Sequence, residues 1–263
     1  MPKTSHLLAV LACGLLFTSS ARAGTEATKI VFKPTAAEVE YWIRNQNSVC
    51  QGSTTTPPEW HRYDTLELVS QRATQLTTCL DVNVVSHQKE MWADGQKLEA
   101  RFPTDVFHYL LTAQGKITSE TSADDPAAAM APVFPDEPIA PGHKWSVIIP
   151  ASQKFTVPIP ITHTFQKVET VQGTACAVII TEGEASGKAP DGAFGFKLKV
   201  TGKTAIALKE GQLIRSSTIT ILNAKGSKSG PAGFPVLRDQ THRIVQRKTK
   251  EYAEAPEAPA GPK

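Results

Sequence analysis

The run FGFKLKVTGKTAIALKEGQLIRSSTITIL, residues 194–222, decides the fold class. Phe194, Phe196, Leu198, Val200, Ile206 and Leu208 share one parity, and Lys197, Lys199, Thr201 and Lys203 share the other. A period of two puts the first set on a buried sheet face and the second in water. Glu210-Gly211 supplies a turn, and the Ile- and Thr-rich stretch 212–222 reads as the return strand of a hairpin.

Reading outward, residues 155–165 place Phe155, Val157, Ile159, Ile161, His163 and Phe165 on one face, with Pro158 and Pro160 on the other parity. Two missing N–H donors on one side put this strand at a sheet edge, at least locally. Gln172-Gly173 turns the chain into a strand carrying Cys176. Further strands are expected at 40–49, 65–71, 76–85, 97–102, 107–112, 116–121, 145–149 and 236–247. Helical patterning is nearly absent. The best helix candidate is 34–43, where Thr35 and Glu38 could form a capping box, though the same stretch reads equally as a strand. The expected fold is mainly β and antiparallel: a curved sheet or half-barrel, or two β units. An echo between 111–117 and 207–213, each an apolar strand end, a polar residue before glycine and an apolar strand start, is compatible with a duplicated β unit.

The first 23 residues have the three parts of an export signal: Lys3, the apolar run 7–17, and the small-x-small site Ala21-Arg22-Ala23. Cleavage after Ala23 and a secreted or periplasmic location are the expectation. Val10-Leu11-Ala12-Cys13 fits a lipobox badly, because the apolar run continues past the cysteine. No later run reaches the roughly 20 apolar residues a membrane-spanning helix needs. The remaining chain divides into an N-terminal β unit (24–121), a Pro- and Ala-rich linker (122–142), a C-terminal β unit (143–250) and a tail (251–263) with too little apolar content to fold.

Residues 24–187 carry 12 basic and 19 acidic side chains, whereas 188–250 carry 13 basic and 3 acidic. Either the two parts attract each other within one molecule, or the basic face of Lys197, Lys199 and Lys203 meets an anionic lipid, glycan or protein partner. No nucleic-acid partner is implied. Removing residues 1–23 leaves Cys50, Cys79 and Cys176. Cys176 shares parity with Val178 and Ile180 and reads as a buried apolar residue, so Cys50 and Cys79 are the natural disulfide in an oxidising compartment.

No catalytic, metal or cofactor motif survives inspection. Gly226-Ser227-Lys228-Ser229-Gly230 has lysine where a nucleophile elbow needs serine, and Ser86-His87-Gln88-Lys89 closes a strand instead of opening a helix. Thr201-Gly202-Lys203-Thr204 lacks the upstream glycine of a phosphate loop. The histidines are scattered singly, without the paired spacing of metal ligands. Trp60, Trp92 and Trp145 could line a ligand groove, or they could be core.

The segments FPDEPIAPGHKW (134–145) and QGTACAVI (172–179) combine a Pro-rich extended stretch, a Gly-x-x-Trp strand start and a hairpin with a buried cysteine. In this the chain resembles uncharacterised secreted bacterial β-proteins, over residues 130–225. It is similar, more distantly, to the half-barrel periplasmic lipoprotein carriers. That resemblance implies an envelope protein with a concave β surface and carries no functional residue across. The functional expectation is a non-catalytic envelope protein binding an apolar or amphipathic ligand, with a basic-face interaction protein and an unrecognised hydrolase as the alternatives.

Overall fold

The computed structural model describes residues 26–51, 59–99, 106–118, 132–151, 157–188, 194–226 and 237–257. The signal-peptide expectation for 1–23 lies outside them. Eleven strands form one antiparallel sheet: β1 (Val39–Gln51), β2 (Glu59–Gln75), β3 (Leu80–Ala93), β4 (Gln96–Lys97), β5 (Val106–Leu111), β6 (Lys144–Ile149), β7 (Ile159–Val171), β8 (Thr174–Lys188), β9 (Phe194–Ala207), β10 (Leu213–Gly226) and β11 (Leu237–Arg247). Their order is β4-β3-β2-β1-β11-β10-β9-β8-β7-β6, with β5 sharing the outer side of β3 with β4. The sheet is curved and does not close. Pairing of β1 with β11 joins the two stretches of strand across the chain's length, so the single curved sheet, and not a pair of stacked units, is what forms.

The alternation is realised as read over 196–203, and beyond it Ala205 and Ala207, on the lysine parity, are buried beside Cys176. Phe196, Leu198 and Val200 lie on the concave face and are buried, while Lys197, Lys199 and Lys203 lie on the convex face. The concave sides of β6–β10 form a core of Ile159, Ile161, Phe196, Leu198 and Val200, packed on Val147 and Ile149. Curvature there depends on Gly183, on the concave face of β8: a Cβ at that position would collide with the Ile161 side chain.

Four expectations are revised. Of the 34–43 stretch, 39–43 opens β1 as strand and 34–38 is irregular; Thr35 caps nothing and instead accepts the Ala73 N–H at 2.9 Å. β7 is interior, flanked by β6 and β8, and β6 is the edge; the β7–β8 register begins at Ile161, so Pro160 falls where that ladder stops. Cys50 and Cys79 are both free thiols. Cys50 sits opposite Trp60 at the start of β2, and Cys79 follows that strand's far end. At ~3.3 Å per residue the two ends of β2 are on the order of 50 Å apart, whereas a disulfide needs Cα atoms within about 7 Å. The tail does not leave the sheet at once: residues 250–257 lie on the convex face, where Trp42 Nε1 donates to the Ala253 carbonyl (3.0 Å) and an Arg44 guanidinium N–H to that of Pro256 (2.9 Å). Arg44 also makes a two-pronged ion pair with the buried Asp64.

The concave side is crossed at one end by a strap. Residues 28–35 run extended: Thr28 bridges Ile139, the Phe32 N–H donates to the Ala113 carbonyl (2.7 Å), the Lys33 N–H to Gly211 (3.2 Å) and the Thr35 N–H to Ala73 (2.9 Å). The two turns that echo one another in sequence are thus the two that grip the strap. Described residues of the expected linker join it, since Phe134 and Ile139 pack with Ile30 onto Phe165, Ile179 and Ile206.

Candidate functional site

Beyond the strap no described residue fills the concave face of β1, β2, β3 and β11. A cavity of about 880 Å³ lies there, a size typical of small-molecule sites. Strand parity determines its walls. On β1 the concave residues are Tyr41, Ile43 and Asn45; on β2 Ala73, Val69 and Glu67; on β3 Leu80, Val82 and Val84; on β11 Val245 and Arg243. Phe32 of the strap and Leu111 of β5 close the apolar end. The exposed Val106 and Phe107, at the start of β5, form part of the rim.

The walls change polarity along the strands. One transverse row of the register runs His163, Thr181, Gly202, Thr218, Arg243, Asn45 and Thr65, a band without a single aliphatic side chain. Toward the strap the neighbouring positions on β1 and β11 are Ile43 and Val245, then Tyr41 and Arg247. At the β7 end of the band His163 is sealed off: Nδ1 pairs with Thr181 Oγ1 at 3.0 Å, Nε2 is buried without a hydrogen-bond partner among the described residues, and the Trp145 ring lies tilted against it 5.3 Å away. Burial alone pulls the His163 pKa down to about 4, so it is neutral at physiological pH.

Three basic residues line the cavity. Lys33 donates to the Lys209 carbonyl (2.8 Å), and His108 faces the Asp81 carboxylate (2.5 Å). Arg243 is half-buried and has no ion-pair partner among the described residues. Glu67, opposite Ile43 on the adjoining β2, is likewise half-buried and in no ion pair among the described residues.

None of the three tryptophans singled out from sequence lines this cavity. Trp60 is on the convex face under the Arg238 guanidinium (5.8 Å), Trp92 on the same face under Lys97 (5.8 Å), and Trp145 is core, its Nε1 donating to the Val133 carbonyl (2.6 Å). The convex lysines are partly neutralised locally, Lys199 by Glu184 (3.6 Å) and Lys203 by Glu169 (3.8 Å). The described residues contain no cluster of His, Cys, Asp and Glu able to hold a metal ion, and no helix long and apolar enough to cross a membrane. The cavity residues went unnoticed in sequence, although the switch Tyr41, Ile43, Asn45, Asn47 within one parity of one strand is a readable sign of a face that changes environment.

No family model matches the chain, and no curated protein sequence does. Among solved structures it is similar to a protein with a YmcC-like fold from Bacteroides fragilis, at 14% identity and TM-score 0.35, over 84% of this chain and 100% of that one. It is similar also to DynF of the dynemicin biosynthesis pathway of Micromonospora chersina, at 6% identity and TM-score 0.25, over 89% and 92%. A LolA superfamily protein from Nitrosomonas europaea is the third, at 8% and 0.17, over 81% and 90%. Likeness at this level says nothing of what the chain binds.

Proposed function

We propose that this is an exported envelope protein that holds an apolar or amphipathic molecule on the concave side of its sheet, without chemistry of its own. The observation that carries the reading is the cavity, left open by the described residues, walled by Tyr41, Val69, Leu80, Val82 and Val84. A sheet that buries one half of its concave face and leaves the other half apolar and open forgoes stabilisation of about 25 cal/mol per Å² unless something occupies it. Export rests on the sequence of residues 1–23.

The test is to produce the chain with residues 1–23 in place, recover it from the periplasm without detergent, and compare native with denaturing mass spectra. A stoichiometric adduct lost on denaturation, with a lipid or other amphiphile in the organic extract, is the expected result. An apo mass, together with no uptake of an added fluorescent fatty acid, removes the reading.

A further inference from the structure

We infer that the cavity takes its ligand in one orientation, with an acyl or similar apolar chain toward Phe32, Leu80 and Val82 and an anionic head at Arg243. The inference rests on the binding role proposed above and adds the class of head group.

Three observations converge on it. First, polarity changes along β1 and its neighbour: Tyr41 and Ile43 give way to Asn45 on β1, and beside them Val245 gives way to Arg243 on β11, while the Ile43 row continues onto β2 as Glu67. An amphiphile in the opposite sense would put its head against the strap and its chain against Asn45 and Thr218. Second, Arg243 is the one basic group in the lining whose charge is met by nothing among the described residues, since Lys33 and His108 have partners. A half-buried guanidinium is poorly hydrated and presents planar donors suited to a carboxylate or phosphate. Third, Arg243 is flanked in its row by Asn45 and Thr218, whose polar side chains share the concave face and supply hydrogen-bonding groups for the same head. Carboxylate and phosphate share the one requirement, a negative charge on a chain.

The experiment uses the full chain after removal of any co-purified lipid, titrated with three fluorescent probes of equal chain length: a fatty acid, a monoacyl phosphate and the corresponding alcohol. The acid or the phosphate should bind at least about tenfold more tightly than the alcohol, as expected for one charge-assisted contact. Arg243→Gln should abolish that preference by weakening the charged probes about tenfold more than the alcohol, and Arg243→Lys should restore part of it. Raised salt should weaken the charged probes only. Equal affinity for charged and neutral probes in the wild type, or equal loss for both in Arg243→Gln, overturns the head assignment while the cavity reading stands. Failure of all three probes to bind removes both.

Discussion

Substituting Gly211 separates the strap's role from ordinary turn geometry. Gly211 has φ +61°, and a Cβ there would lie 2.5 Å from the Val31 carbonyl oxygen and 2.7 Å from Lys33 Cγ. Gly95, in the β3–β4 turn, has φ +83° and open space around its would-be Cβ. An L side chain in the left-handed region costs about 1–2 kcal/mol, offset by about 0.4–1 kcal/mol of lost unfolded-state freedom. Gly95→Ala should therefore destabilise by about 0.5–1 kcal/mol. Gly211→Ala bears the same cost plus about 1–3 kcal/mol of overpacking against backbone that is itself held by hydrogen bonds, for a total of about 2–4 kcal/mol. In a chain of this size each kcal/mol moves the thermal midpoint by about 2–4 °C, which gives drops of about 4–16 °C against about 1–4 °C. Hydrogen exchange locates the damage: the Phe32 and Lys33 amides, bonded to Ala113 and Gly211, should lose protection in Gly211→Ala and keep it in Gly95→Ala. Equal midpoint losses, with the strap amides protected in both variants, would refute the view that the strap is clamped by the 207–213 turn.

Three further outcomes follow from the same geometry. His163 binds its proton near pH 4 in the folded chain and near 6.5 unfolded, so acid favours the unfolded state; about 3 kcal/mol of stability should drain away as pH falls from 6.5 to 4. His163→Asn should flatten that part of the urea-unfolding profile, and an unchanged slope would exclude His163 as its source. All three cysteines of the 24–263 chain should alkylate in denaturant without reductant, with Cys50 and Cys176 protected when native; uptake of a single label would restore a disulfide. Truncation after Lys250 removes the carbonyl partners of Trp42 and Arg44 and should cost about 2 kcal/mol at about 1 kcal/mol per hydrogen bond; an unchanged urea midpoint would mean the tail only rests on the sheet.

Strand identity was legible wherever one sheet face is dry and the other wet. Lys197, Lys199 and Lys203 against Phe196, Leu198 and Val200 give β9 its period because β9 has solvent behind it and core in front. The same rule is silent on what lies across a face. Ile30 and Phe32 carry no strand pattern, since the strap is held by isolated hydrogen-bonded contacts at four separate places instead of a ladder, yet they help close the core. Partner choice was equally hidden: nothing near Val39 or Arg247 indicates that the first long strand pairs with the last, a contact whose sequence separation only the folded sheet reveals. The disulfide expectation failed for a related reason, because counting cysteines supplies a parity and no distance.

The candidate site was hidden by composition. Tyr41, Val69, Leu80 and Val82 are the residues any β core would use, and a cavity differs from a core only by what faces it. Here the difference arises from an asymmetry in one sheet. On β6–β10 the concave face has glycine at Gly183 and Gly202, and its apolar side chains form two buried clusters, Phe165 with Ile179 and Ile206, and Ile161 with Phe196 and Leu198. On β1, β2 and β11 the corresponding positions of the His163 row hold Thr65, Asn45 and Arg243, whose size and polarity oppose the same dry closure. Gly202 pairs with Thr218, and Thr218 with Arg243, so the change occurs across two adjacent strands. One half of the sheet thus builds a frame and the other cannot collapse onto it. The strap fixes the boundary between them, which is why a turn glycine far from Arg243 should govern the depth of the cavity as well as the stability of the chain.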